Sequence, residues 1–209
     1  METSTAGGAR ADCSRCAGLC CVALAFDRSP LFAFDKPAGA ACRHLTVSNR
    51  CELHDRLQTE GFAGCARYDC GGTGPRVVSE LFPARSWREG PETAAAIFDA
   101  FRALREIDEL RALLAATDGL ALGPRHARTV TALAAALAPP GGWSLTALDR
   151  FEEGPLPARI RGYLRSLRWQ VPLLTSGRTP HPSRPGSPAV GAAPSPRFRL
   201  TAGARGPID

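Results

Sequence analysis

The chain reads as an α-rich protein in three parts. A small, irregular, metal-stabilised cysteine module comes first, a helical segment follows, and a disordered C-terminal tail ends it. Three observations predict this. All eight cysteines fall between Cys13 and Cys70, and none follows. From Pro91 onward, apolar residues recur at helical spacing. After Thr175 the composition turns to Pro, Ser, Gly, Ala and Arg, without periodicity or many large aliphatics. The expected parts are a disordered N-terminus at 1–11, a Cys-rich metal-binding module at 12–80, a helical segment at 81–172 and a disordered Pro/Arg-rich tail at 173–209.

Within the module, glycines and prolines such as Gly18, Pro30, Pro37, Gly61 and Gly64 break the chain into short pieces. Leu19 to Phe26 is apolar and suits a short strand or one helical turn. Arg50 to Thr59 suits a short helix with Leu53 and Leu57 on one face. Gly71-Gly72-Thr73-Gly74-Pro75 is expected to be a turn, not a phosphate cradle, because Pro75 removes a donor and no strong strand precedes it. Without metal such a module is expected to bury little core, the condition under which small domains depend on a metal to fold.

The helical segment opens with the clearest helix, at 91–117. Pro91 suits a first helical position and Glu92 favours the positive end of the dipole. Ile97, Phe98, Phe101, Leu104, Ile107, Leu110, Leu113 and Leu114 form its apolar series, and Gly119 is the expected stop. A second helix is expected from Pro124 to Leu137, with His126, Val130, Leu133 and Leu137 on one stripe. Ser144 is a candidate cap for a short turn through Asp149. Pro157 to Trp169 predicts a third helix, with Ile160, Tyr163, Leu164 and Leu167 on one side and Arg161, Arg165 and Arg168 on another.

The net charge of +6 does not by itself indicate nucleic-acid binding. Residues 1–80 hold nine basic and nine acidic side chains; residues 81–155 hold eight and ten. Residues 156–209 hold nine basic and one acidic, so the whole excess lies there. Nucleic acid is expected at most as a weak partner of the tail. Lys36 is the sole lysine; every other basic residue except histidine is arginine.

The N-terminus, Met1 to Asp12, has no apolar stretch behind a basic start, and no later run is long enough to span a membrane. A cytoplasmic setting is therefore expected. There the thiol pool keeps cysteines reduced, which favours metal ligation or redox work over disulfides. Cys13-x2-Cys16 brings two sulfurs to one ion across a turn, with zinc–sulfur bonds of about 2.3 Å. Cys20 and Cys21 are adjacent and so project differently; they suit different sites, or one ligand and one packed or redox-active thiol. With Cys42, Cys51, Cys65 and Cys70, the eight thiols are enough for two tetrahedral sites, for one site with spare cysteines, or for an iron–sulfur cluster. Thiol softness selects zinc or iron over magnesium and calcium without choosing between them. His44 and His54 are competing ligands, or donors to a sulfur. Asp12, Asp55 and Asp69 read as caps and turn formers. His126, isolated among apolar residues, reads as core or surface.

Taken together, Cys13-x2-Cys16-x3-Cys20-Cys21, Cys42-Arg-His-Leu, Cys51-x2-His54 and Cys65-x2-Tyr68-Asp-Cys70 resemble the bacterial zinc- or iron-chelating Cys-x2-Cys-x3-Cys-Cys family (YkgJ-like). Phe34-Asp-Lys-Pro-Ala-Gly and Gly61-Phe-x-Gly-Cys65 look closer still to an actinobacterial subgroup that often carries pentapeptide repeats after the Cys module. The resemblance covers roughly residues 11–120. It implies metal chelation by the cysteines and no settled reaction. Some relatives are linked to protein lysine methylation. No run of the pentapeptide type occurs in this chain, and the Pro/Arg-rich tail stands where one would begin.

The expectation is thus a metal-binding protein, zinc or iron, whose module presents its helices to a protein partner. A metal- or cluster-dependent enzyme and a thiol sensor using Cys20 and Cys21 are the alternatives. No residue stands out as catalytic.

Overall fold

The 25-residue helix Pro91–Ala115, here α4, organises the packing. The structure, a computed structural model, describes residues 12–120 and 123–167. Pro91 opens α4 where its missing N–H costs nothing, and Glu92 lies in the first turn. Ile97, Phe98, Phe101, Leu104, Ile107, Leu110 and Leu114 are buried along it, with Ala100 and Ala103 between them. These alanines let neighbouring elements approach closely. Leu113 departs from the expected series: it is 47% exposed, because its position falls off the buried stripe. The helix ends in a 3-10 turn, Ala116–Gly119, as the glycine predicted.

The elements before α4 are short. α1, Leu19–Ala23, is one helical turn, which decides between the two forms expected of Leu19 to Phe26. Gly18 starts it at φ +69, and a Cβ there would stand 2.8 Å from the Leu45 side chain. Leu19, Val22 and Ala23 are buried at helical spacing, while Cys20 and Cys21 lie half-buried on the other side. Beyond Ala23 the chain is extended and Phe26 pairs with Lys36. α2 is Ala63–Arg67, and α3 is Thr73–Arg76, running on into a π-helical turn at Val77–Leu81.

Two local expectations are corrected. The glycine-rich stretch is not only a turn: Gly72, at φ +85, turns the chain straight into α3. Pro75 is tolerated because it lies in the first helical turn, where N–H groups have no partner within the helix. Between Arg50 and Thr59 only His54–Arg56 is helical, and only as a 3-10 turn. The preceding backbone is already committed: Thr46 N–H donates to Arg50 O at 2.8 Å and Glu52 N–H to His44 O at 2.9 Å. Leu53 is nonetheless buried.

After α4 come α5 (Pro124–Ala136), α6 (Leu145–Glu153) and α7 (Leu156–Leu167). All three pack on α4. Ser144 caps α6 by accepting from Ala147 N–H at 3.2 Å, and the helix runs past Asp149 to Glu153. Leu148 and Phe151 of α6 and Ile160 of α7 are buried. Arg161 of α7 donates to Glu106 of α4 at 2.5 Å, so part of the expected arginine face is paired. Arg168, Trp169, the N-terminal segment and the tail lie outside the described residues.

One core therefore joins the cysteine-bearing segment to the helices. Leu19, Val22, Val77 and Phe82 share it with Phe101, Leu104 and Ile107. The cysteine segment buries more apolar surface than its composition suggested, because α1 and α3 both pack against α4. Among the described residues the only β pairings are three isolated bridges, and no helix is long and apolar enough to cross a membrane.

Candidate metal centre

The eight cysteines lie on six stretches of chain. Cys13 sits in a 3-10 turn, Cys13–Arg15, capped by Asp12, whose carboxylate accepts from Ser14 N–H at 2.9 Å. Cys16 follows it. Cys20 and Cys21 ride on α1. Cys42 N–H donates to Cys21 O at 2.9 Å, which docks its loop on that helix. Cys51 bridges to Leu45. Cys65 lies on α2, and Cys70 immediately precedes α3. Asp69 accepts from Gly71 N–H at 2.8 Å, the turn-forming role expected of it. All eight thiols are free; Cys13 is exposed and the other seven are half-buried.

The thiols sort into two neighbourhoods. Cys16 and Cys70 face the same glycine: a Cβ on Gly74 would stand 2.6 Å from Cys16 Sγ and 3.8 Å from Cys70 Sγ. Burial pushes Cys16 up to about 11, against backbone N–H groups of Leu19 and Gly18 that favour its thiolate, and the Cys20 and Cys70 thiolates raise it further. Cys13 is raised by burial and then by the same two neighbours. In the second neighbourhood, Cys51 is raised by burial while Leu53 N–H favours its thiolate, with Cys42 and Cys20 raising it. Cys65 is pushed up to about 11 by burial and by Cys20, Cys42 and Cys51.

Cys20 and Cys21 join the two groups. Their sulfurs are 3.9 Å apart. That contact pulls Cys20 down to about 7 and, with burial, drives Cys21 far above the ordinary thiol range. Cys21 is further raised by Cys20, Cys51 and Cys42. As placed, the sulfurs share a region without closing on a point. Among the described residues no three His, Cys, Asp or Glu side chains are arranged to hold an ion. The donor set still fits a soft metal: the residues brought together are thiols, and several already receive backbone N–H groups.

The histidines stand differently. His44 packs against the rings of Phe34 and Phe62, with centroids 5.9 and 5.6 Å away, and its Nδ1 is 4.0 Å from Glu52. His54 is exposed on its 3-10 turn. His126 lies beside Tyr163, whose hydroxyl is 3.4 Å from the His126 carbonyl oxygen, in keeping with the bland role expected of it.

Sequence reasoning missed two residues that build this region. Lys36 is buried, with 4% exposure, among the carbonyls beside the thiols. Asp108 of α4 anchors the Cys70 end. It accepts from Thr73 Oγ1 at 2.7 Å and from Arg76 Nη1 at 3.0 Å, while Thr73 N–H donates to Cys70 O at 3.0 Å. The lone lysine was a visible signal; Asp108 gave none, since its partners lie over thirty residues away. Asp108→Ala removes the carboxylate that holds α3. The expected loss is about 1–3 kcal/mol in urea denaturation, with Asp108→Asn losing less.

The comparisons add little beyond kinship. No family model matches the chain. It is similar to the Uncharacterized protein YybG of Bacillus subtilis (strain 168), 43% identical over 100 residues, which is 48% of this chain and 36% of that protein. The chain thus spans about a third of the length of the curated relative it matches. No solved structure matches.

Proposed function

We propose that this protein is a metal-binding protein whose eight cysteines form a thiolate centre for zinc or iron. The observation behind this reading is a set of contacts among free thiols from separate segments: Cys16 and Cys70 both lie against Gly74, the Cys20 and Cys21 sulfurs are 3.9 Å apart, and Cys42 N–H is docked on Cys21 O. Packing alone gives no reason for eight thiols to fall in one segment. Zinc is the first choice, since four thiolates satisfy it without redox chemistry; an iron–sulfur cluster would take the same ligands. The resemblance to the chelating Cys-x2-Cys-x3-Cys-Cys family agrees with the reading. The centre's role is structural: it ties Cys13, Cys42 and Cys51, on short irregular segments, and Cys65, on α2, to the helical core, and it leaves the outer helix faces for a protein partner.

Elemental analysis and an absorption spectrum of anaerobically purified protein test this. Zinc or iron at near-stoichiometric level is expected, and strong visible absorption would select the cluster. Chelation is expected to lower the melting temperature, since metal bound to the folded state alone stabilises it. A metal-free protein whose thermal unfolding ignores both chelator and added zinc would refute the reading.

A further inference from the structure

Lys36 is the sole lysine of the chain, and it is buried. An ammonium rarely leaves water without a counter-charge. Its Nζ donates to Ala40 O at 2.8 Å, Pro37 O at 3.1 Å and Val22 O at 3.3 Å. It also lies 5.7 Å from the Phe26 ring centroid. Carbonyls carry only partial charge, and no carboxylate is within ion-pair distance of this lysine among the described residues.

The identity of those carbonyls matters. Val22 follows Cys21 directly, and Ala40 lies two residues before Cys42. Gly39 N–H also donates to Val22 O at 2.9 Å, and Cys42 N–H to Cys21 O at 2.9 Å. The ammonium therefore clips together the two backbone segments that carry Cys21 and Cys42. Burial lowers its basicity, and the anionic forms of Cys42, Cys21, Cys20 and Cys65 oppose that.

We infer that Lys36 is the positioning residue of the thiolate centre, its ammonium holding the Cys21 and Cys42 segments together through the Val22 and Ala40 carbonyls and setting a fixed positive charge beside them. This rests on the thiolate-centre reading. A divalent ion held by four thiolates leaves two negative charges in a half-buried region, and a fixed ammonium reduces that excess. Lysine suits the task because its charge is compact and its three donors match three carbonyls.

The test compares the full-length wild type with Lys36→Met and Lys36→Gln. Zinc affinity is measured by competition with a chromophoric chelator at one pH. Both neutral variants are expected to bind about tenfold more weakly or worse. The metal-free proteins are then labelled with iodoacetamide and read by peptide mass spectrometry. Cys21 and Cys42 are expected to label several-fold faster in the variants, because the segments that carry them are no longer clipped together, with Cys13 and Cys16 at the wild-type rate. A general loosening of the fold speeds Cys13 and Cys16 as well. Wild-type zinc affinity in both variants, or Cys13 and Cys16 speeding as much as Cys21 and Cys42, overturns the inference. If the wild type takes up no zinc, the thiolate-centre reading falls, and the labelling still decides whether Lys36 holds these two segments.

Discussion

Phe101→Ala is expected to destabilise the protein by about 3–5 kcal/mol, the range for truncating a buried aromatic. Phe101 is fully buried on α4, in the core that α4 shares with the cysteine-bearing segment. The loss should therefore reach beyond the helices. Urea denaturation followed at once by helical circular dichroism and by thiol accessibility should show a single transition shifted to lower urea in both signals. Leu113→Ala, on the same helix but 47% exposed, should change stability by only about 0.5 kcal/mol. Separate transitions for helices and thiols would contradict the shared core.

Gly74→Ala is expected to reverse the usual sign of a glycine replacement in a helix. Ordinarily alanine gains roughly 1 kcal/mol there. At Gly74 the added Cβ would stand 2.6 Å from Cys16 Sγ, well inside contact distance. Overpacking of this kind costs about 1–3 kcal/mol, which outweighs the propensity gain. The substitution should also separate Cys16 from Cys70 and so weaken metal uptake at their neighbourhood. Gly119→Ala, with nothing within 4 Å, is the control and should be neutral or mildly stabilising. Thermal unfolding and zinc stoichiometry measured on both variants check the contrast. Equal stability for the two would show that Cys16 does not lie against Gly74.

The long helix was legible because its signal is local and repeated. Pro91, Glu92 and the apolar series from Ile97 to Leu114 agree with one another, and only Leu113 misleads. Ser144 announced a capped turn by chemistry alone, but the turn is a helix that runs to Glu153, with Phe151 buried in the core. The short elements were harder. α2 and α3 hold five and four residues, too few for periodicity to speak. α3 exists because Thr73 and Arg76 reach Asp108, thirty-five and thirty-two residues along the chain. No local window contains both ends of that contact.

The candidate site divides in the same way. Sequence alone determined the side chains on offer, eight thiols in one segment, because residue chemistry does not depend on the fold. Adjacency sends Cys20 and Cys21 in different directions from the backbone, yet the one-turn helix α1 leaves their sulfurs 3.9 Å apart. Only the tertiary structure decided which thiols meet. Cys16 faces Cys70 across Gly74, and Cys42 joins Cys21 through a backbone hydrogen bond. The fold likewise turned the lone lysine from a compositional oddity into a buried cation bonded to carbonyls beside Cys21 and Cys42. Burial and proximity depend on how distant segments pack, and the spacing of residues along a chain carries that information only weakly.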